Sequence, residues 1–291
     1  MSYNKEDFTW GYEIEWGDID RRLDVPENLG KWEYSETDVI NMNEPYKYVA
    51  CDPQGIEPPF GGEINTVPSN TWEEQVDIIM GIKKFFVSNG NSPTASSISH
   101  GHIHCFVPGL KDDVESLKKL IAYIEKNQSM TVQSVGGFTD YADMKKHKGA
   151  KMYLKQDGGR QMPEYMSQNI INLATDFDSF IKLHAAGKDG VSMGRPFRYA
   201  INTYCMKHTG TIGFRCFRSS VNKEEIEAQF KFVEAFIDSA LNDGPSVAEL
   251  LRSTDYKFAP FIWDPYAWDG YLKTKYDKSR GKKVREYVEI T

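Results

Sequence analysis

The feature that most constrains the fold is an alternating segment between Phe8 and Gly17. One parity carries large apolar side chains, namely Phe8, Trp10, Tyr12, Ile14 and Trp16. The other parity carries Thr9, Gly11, Glu13 and Glu15. Successive side chains of a strand point to opposite faces, so the segment predicts a strand with an aromatic face and an acidic face. The size of the aromatic residues implies that this strand is anchored against the protein core.

Strand-like and helix-like segments are interspersed along the rest of the chain, which predicts a single α+β domain over residues 1–291. Further strands are predicted at 61–67, 98–107, 199–206 and 211–217. Helices are predicted after Thr71, from Asp112, over 163–186 and after Asn222. Thr71 and Asn222 are each followed three residues later by glutamate, which is typical of a helix N-terminus.

Two segments lack a clear pattern, and we predict that both are mobile. Residues 18–60 are rich in Asp, Glu, Asn and Pro, and residues 140–162 contain a basic run from Lys145 to Arg160. The end of the chain, residues 273–291, is predicted to be a basic tail. Charge runs of this kind are usually solvated, but a basic loop over a phosphate site has the same composition.

Charge and hydropathy exclude several classes of protein. Asp and Glu number 42 against 35 Lys and Arg, which gives a net charge of −7. General binders of nucleic acids or anionic membranes need a positive field, so neither is expected. The chain has neither a membrane-length apolar run nor an apolar signal-peptide core, so a cytoplasmic protein is expected. Its four cysteines form no Cys-x-x-Cys pair, which favours buried thiols.

Carboxylates on predicted strands are candidate cation ligands. Glu13 and Glu15 lie two residues apart, so both project from one strand face with backbones about 6.8 Å apart. Glu63 follows Gly61-Gly62, where another backbone or a ligand could approach closely. The alternative is an acidic strand face that meets solvent. The aromatic opposite face of the first strand favours a lined cavity instead.

Histidines and arginines supply further candidates. Half of the six histidines, His100, His102 and His104, share one parity, which favours at least one metal or phosphate contact. Arg215 shares the parity of Thr211 and Gly213, so it is a better candidate for a phosphate contact than Arg218. Arginine binds phosphate by its charge and by its forked donors. Arg218 has the opposite parity, which favours a structural ion pair, and both Arg218 and Arg198 remain candidate cofactor contacts.

The order of four motifs carries a resemblance to a known family. The motifs are Gly-Tyr-Glu-Ile-Glu at 11–15, Gly-Glu-Ile-Asn-Thr-Val-Pro at 62–68, His-Gly-His-Ile-His at 100–104, and Asn202 followed by Thr-Ile-Gly-Phe-Arg at 211–215. Over about residues 8–237 the chain resembles the amidoligases, which are carboxylate-amine ligases similar to glutamine synthetase and γ-glutamylcysteine synthetase. The usual nucleotide-binding motifs, Gly-x-x-x-x-Gly-Lys-Ser/Thr and Gly-x-Gly-x-x-Gly, are missing from the sequence.

The resemblance implies a glutamine synthetase-like fold. In that fold a curved antiparallel sheet binds ATP and two or three Mg²⁺ ions on its concave face, with helices packed on the convex face. Glu13, Glu15 and Glu63 match the metal-binding carboxylates of the family, His104 matches its histidine near metal and phosphate, and Arg215 its phosphate-binding arginine. The family usually has an acidic residue where this chain has Gly213, and Asn202, His102 or a water could fill that gap.

The sequence therefore predicts an ATP- and Mg²⁺-dependent ligase, with Mn²⁺ as an alternative cation, that forms an amide through an acyl phosphate. Glu13, Glu63 and Arg215 are the predicted catalytic residues. Small-molecule or peptide carboxylates and amines are the expected substrates, and a modified nucleobase could also be the acceptor. Two alternatives stay open: a metal-dependent hydrolase that uses His100, His102 and His104, and an inactive ligase-like nucleotide-binding protein. The sequence predicts no oligomeric state.

Overall fold

The computed structural model describes residues 3–20, 23–32, 60–95, 100–135, 161–185, 199–253, 270–277 and 282–289. The strands within these ranges are β1 (Thr9–Asp20), β2 (Gly30–Trp32), β3 (Phe60–Thr66), β4 (His100–Phe106), β5 (Ile201–Asn202), β6 (Thr211–Arg218), β7 (Gly270–Asp277) and β8 (Lys282–Glu289). The α-helices are α1 (Trp72–Ser88), α2 (Val114–Val135), α3 (Glu164–Leu173), α4 (Phe177–Ala185), α5 (Lys223–Leu241) and α6 (Val247–Arg252).

The main sheet has six strands in the order β2-β3-β1-β4-β6-β5. Every neighbouring pair is antiparallel, and β7 and β8 form a separate antiparallel pair. Helices combined with an antiparallel sheet confirm the predicted α+β class. The finer prediction of a glutamine synthetase-like fold with a concave binding face stays a prediction.

The aromatic face of β1 forms the centre of the core. Trp10, Tyr12 and Trp16 are all buried. The rings of Trp10 and Tyr12 both contact Phe230 of α5, and the indole N–H of Trp16 donates to the backbone carbonyl of Ser220 at 2.9 Å. Buried aromatic side chains contribute large apolar areas to the hydrophobic stabilisation of a fold. One face of the sheet is thereby fixed against helices, and the acidic residues of β1 lie on the other face.

The glycine within the His-Gly-His motif is required by this packing. A Cβ atom on Gly101 would lie 1.9 Å from the hydroxyl oxygen of Tyr12, so a larger residue cannot stand beside the ring. The Tyr12 hydroxyl donates a hydrogen bond to the side-chain oxygen of Gln229 in α5 at 3.2 Å. Contacts of Tyr12 on the opposite face of the sheet therefore help to hold β4, which carries His102, in register with β1.

Both predicted helix caps are confirmed. The side chain of Thr71 accepts a hydrogen bond from the backbone N–H of Glu74 at the start of α1. The side chain of Asn222 accepts one from the backbone N–H of Glu225 at the start of α5. Each cap satisfies a backbone donor that the first helical turn leaves unpaired.

Several predicted elements differ from the structure. The strand predicted at 199–206 is confined to β5 and is followed by a 3-10 helix at Tyr204–Lys207. The helix predicted over 163–186 is divided into α3 and α4. Part of the predicted basic tail forms β7 and β8. Most of segment 18–60 and nearly all of segment 140–162 lie outside the described residues. Among the described helices, none combines the length and apolarity needed to cross a bilayer.

Candidate metal and phosphate site

The polar face of the sheet brings the predicted site residues of three strands together. Glu13 of β1 lies directly opposite His102 of β4, and Glu15 lies opposite Glu63 of β3. Side chains at directly opposed positions of antiparallel strands are close neighbours. The strand pairing thus turns three motifs that are far apart in sequence into one cluster.

Glu13 is at the centre of this cluster. Its Oε2 atom contacts Nδ1 of His102, and its Oε1 atom lies 2.7 Å from Nε2 of His104. The Nη1 atom of Arg215 lies 3.6 Å from Oε2 of the same carboxylate. One carboxylate therefore contacts two imidazoles and one guanidinium.

The environment fixes the charge states of this cluster. Burial alone would raise the pKa of Glu13, but hydrogen bonds from His102 and His104 outweigh it and hold that pKa well below its usual range. Burial lowers the pKa of His102 to about 4, although its hydrogen bond to Glu13 acts in the opposite direction. Glu13 is therefore ionised and His102 neutral near pH 7.

The neutral His102 ring has one N–H group, and the ionised Glu13 can only accept a hydrogen bond. The hydrogen of His102 is accordingly on Nδ1, which faces Glu13. Its Nε2 atom keeps a lone pair and lies 3.6 Å from Oε1 of Glu15. A histidine oriented by a carboxylate in this way is typical of metal sites.

The donor set fits a divalent cation. Glu13, Glu63 and His102 each offer one ligand atom, and these atoms all lie within 4.8 Å of one another. Carboxylate oxygens suit Mg²⁺ and Mn²⁺, and an imidazole nitrogen extends the range to Mn²⁺ and Zn²⁺. Glu15 lies next to this group, and His104 contacts the other oxygen of Glu13.

A β-bulge directs Arg215 toward this cluster. Ile103 of β4 pairs with Phe214, whereas Gly101 pairs with Phe217, so the single residue His102 faces both Arg215 and Cys216. The buried Nε atom of Arg215 has no hydrogen-bond partner among the described residues. A buried donor of this kind needs an acceptor, and a phosphate oxygen would supply one.

Other predicted contacts of the site lie elsewhere or outside the described residues. The Nε and Nη2 atoms of Arg218 donate to Oε1 of Glu225 at 3.2 and 2.8 Å, which is the structural ion pair that sequence parity favoured. Strand parity alone does not give the face of Arg218, because the bulge places Arg218 opposite His100. Arg198, the Lys145 to Arg160 run and the side chain of His100 are outside the described residues.

Gly213 is surrounded by His104 and Asn202, which belong to the sequence motifs, and by Cys205, which does not. A Cβ atom at this position would lie 3.2 Å from the sulfur of Cys205, 3.5 Å from Cε1 of His104 and 3.8 Å from Cβ of Asn202. Burial raises the pKa of the Cys205 thiol to about 11, so the thiol is neutral. No sequence signal pointed to Cys205, because the fold of the 3-10 turn decides where its side chain lies.

Comparisons with known proteins give little further information. No protein-family model matches the chain, and no curated protein matches its sequence. Among solved structures, it is similar to a bifunctional glutathione synthetase from Pasteurella multocida, with 13% identity and a TM-score of 0.43. The match covers 80% of this chain and 38% of that one. A likeness of this degree establishes neither a shared fold nor a shared activity, and the amidoligase family stays a prediction.

Proposed function

We propose that this protein is an ATP- and divalent-cation-dependent carboxylate-amine ligase. The observation that carries the proposal is the group of ligand atoms from Glu13, Glu63 and His102 within 4.8 Å of one another, with Arg215 beside Glu13. Carboxylates that hold a cation, next to an arginine with a free donor, form a site suited to polyphosphate. The motif order of the sequence adds the amide-forming chemistry to this proposal.

The proposed reaction has two steps. A carboxylate oxygen of the first substrate attacks the γ-phosphorus of ATP, and ADP leaves. The amine nitrogen of the second substrate then attacks the acyl carbon, phosphate leaves, and the nitrogen gives up a proton. When bound, a divalent cation would neutralise part of the negative charge on the ATP phosphates. The substrates belong to the class of small-molecule or peptide carboxylates and amines.

The residues of the chain would act mainly by positioning and by charge. Glu13, Glu63 and His102 would hold the cation, and the Arg215 guanidinium would bind the transferred phosphoryl group. Preorganised charges of this kind lower the barrier without covalent participation of the protein. Catalysis would then depend on the rigidity of the strands, which the aromatic core on the opposite face provides.

A metal-dependent hydrolase is the second candidate, and one observation favours it. The imidazole of His102 belongs to the donor group, and a mixed set of two carboxylates and one histidine also suits Zn²⁺ and Mn²⁺. Such an enzyme would activate water and would need no ATP. The requirement for ATP therefore separates the two candidates.

The first experiment is calorimetric titration with Mg²⁺ and a non-hydrolysable ATP analogue. The wild type should bind the complex, and Glu13→Gln should weaken binding more than tenfold. Glu224→Gln is the matched control, because it removes the same charge from an exposed position at the start of α5. A folded wild type that binds no nucleotide with Mg²⁺ or Mn²⁺ would refute the ligase proposal.

Where binding is found, phosphate release from ATP is measured across pairs of carboxylates and amines. The ligase proposal requires release that depends on both partners and that yields an amide. Turnover without ATP in the presence of Zn²⁺ or Mn²⁺ would support the hydrolase instead. Nucleotide binding without turnover across a broad panel would indicate an inactive ligase-like protein.

A further inference from the structure

A phenylalanine of β4 lies on the polar face of the main sheet. Phe106 has the parity of His102 and His104, so its side chain projects from the same face. The residue is partly exposed. Among the described residues it belongs neither to the hydrophobic core nor to the apolar side chains that pack against that core. Core packing within the described part of the chain therefore does not account for this ring.

Small residues surround the ring. Thr9 of β1 and Thr211 of β6 lie directly opposite Phe106 on the two neighbouring strands. Gly210 has a φ of 80°, and a Cβ atom there would lie 3.3 and 3.4 Å from Cδ2 and Cε2 of the ring. The two threonines are too short to cover the faces of the ring, which agrees with its partial exposure.

The surface between this ring and Glu13 is low along β1. Gly11 lies between Thr9 and Glu13 on the polar face. Among the described residues, a Cβ atom on Gly11 would meet only Cβ of His104, at 3.8 Å. A glycine within a strand lets a ligand approach the backbone closely. The polar face therefore has room for a ligand that extends from Glu13 toward Phe106.

The distance from the ring to the proposed cation site suits an extended nucleotide. Phe106 follows His102 by four residues along β4, which corresponds to about 14 Å. Glu13 lies directly opposite His102. A nucleoside triphosphate whose terminal phosphate lies at Glu13 and Arg215 can therefore reach Phe106 with its base.

Charge favours this direction over the opposite one. Nζ of Lys111 lies 3.7 Å from the Cβ position of Gly210, next to the edge of the ring. On the other side of Glu13, the face carries the carboxylates of Glu15 and Glu63, which lie opposite each other. A phosphate chain that runs from the cation toward Lys111 avoids repulsion by these two carboxylates.

We propose that Phe106 is the residue on which the base of the bound nucleotide stacks. This inference rests on the proposed function, because it takes the triphosphate to lie at the cation and Arg215. Every base has a face that can stack on an aromatic ring, so the subsite favours nucleotides over inorganic triphosphate without selecting one base. One such contact corresponds to about 5- to 150-fold in affinity.

The first test compares two ligands that differ in the presence of a base. Calorimetry measures binding of Mg²⁺ with the non-hydrolysable ATP analogue, and of Mg²⁺ with inorganic triphosphate. Phe106→Ala should weaken binding of the analogue about 5- to 150-fold and should leave binding of triphosphate nearly unchanged. Phe106→Tyr keeps the ring and should bind the analogue like the wild type. An equal loss for both ligands, or a loss for neither, would overturn the inference.

Phe85→Ala is the matched control. Phe85 is a partly buried residue of α1 that packs against the core. The substitution removes the same side chain at a position outside the polar face of the sheet, and it should leave both affinities unchanged. A loss of analogue binding in Phe85→Ala equal to that in Phe106→Ala would assign both losses to a weakened fold and overturn the stacking role.

Fluorine NMR tests the contact directly, in protein that carries a fluorinated phenylalanine at position 106. The ATP analogue should shift the fluorine signal, because an aromatic base above the ring changes its magnetic environment. Inorganic triphosphate should shift the signal much less. Equal shifts with the two ligands would contradict stacking of the base at this position.

The outcomes separate this inference from the proposed function. A wild type that binds both ligands and shows the expected loss in Phe106→Ala, but forms no amide, would refute the ligase and leave the stacking role intact. A wild type that forms an amide with ATP, while Phe106→Ala binds the analogue normally, would refute the stacking role alone. A wild type that binds neither ligand would refute both.

Discussion

The sulfur of Cys205 lies 3.2 Å from the point that a Cβ atom on Gly213 would occupy. The thiol therefore stands in the space that a side chain at position 213 would need. The resemblance to amidoligases that the motif order predicts would place an acidic residue there. In this protein the 3-10 turn that carries Cys205 is packed against β6. Because Gly213 has no side chain, the sulfur of Cys205 has room beside it.

This close approach predicts that substitutions at Gly213 and Cys205 have non-additive effects on the free energy of unfolding. Gly213→Ala should lower the free energy of unfolding by about 1 kcal/mol, because the new methyl group crowds the sulfur. Cys205→Ala removes that sulfur, so the double variant should lose less stability than the two single variants combined. Denaturant unfolding of all four proteins measures the coupling. Strictly additive losses would show that the two positions do not compete for the same space.

Cation binding should raise thermal stability. A cation that binds only the folded protein adds about 2.7 kcal/mol at a concentration of 100 times its Kd. The Tm of the wild type should therefore rise by several degrees with Mn²⁺ or Mg²⁺, and a chelator should reverse the shift. Glu63→Gln should abolish most of the shift, and the exposed Glu224→Gln should retain it. Equal shifts in both variants would place the binding site elsewhere.

Much of the candidate site could be predicted from strand periodicity. Glu13 and Glu15 had to share a face because they are two residues apart, and Trp10 and Tyr12 had to be buried on the other face. The pattern could not give the register between strands, which is a tertiary property. That register places Glu13 opposite His102, so His102 enters the donor group.

Local irregularities explain most of what was missed. One extra residue in β6 at Arg215 and Cys216 shifts the parity of Arg218, and the sequence gives no warning of such a bulge. The hydroxyl of Thr211 could have been noticed, since it shares the parity of Gly213 and Arg215. Its contact with His104 depends on pairing between β4 and β6, which periodicity does not specify.

The two arginines of β6 should differ in their effect on nucleotide binding. Arg215→Met removes a guanidinium beside Glu13 and should weaken binding of Mg²⁺ with the ATP analogue more than tenfold. Arg218→Met is a matched change three residues away. It breaks an ion pair with Glu225 and should alter affinity less than threefold. Calorimetry measures both, and a larger loss in Arg218→Met would reassign the phosphate contact.

A buried histidine outside the metal site should make folding pH-dependent. His184 is fully buried, its Nε2 lies 2.5 Å from the Thr203 hydroxyl oxygen, and burial lowers its pKa to about 3. An unfolded histidine has a pKa of about 6.5. Above that pH the histidine is neutral in both the folded and the unfolded state, so its titration does not change the stability. Below it the unfolded state binds a proton that the folded state excludes, so stability falls as pH decreases toward 3.

Replacement of His184 isolates this contribution. From the two pKa values, His184 should cost about 2 kcal/mol of stability at pH 5 relative to pH 8. His184→Phe should lower stability at pH 8, because Thr203 loses its partner, and should weaken the further loss between pH 6.5 and pH 4. The exposed His208→Gln should keep the wild-type slope. Urea unfolding at several pH values measures these slopes, and an unchanged slope in His184→Phe would show that His184 is protonated in the folded protein.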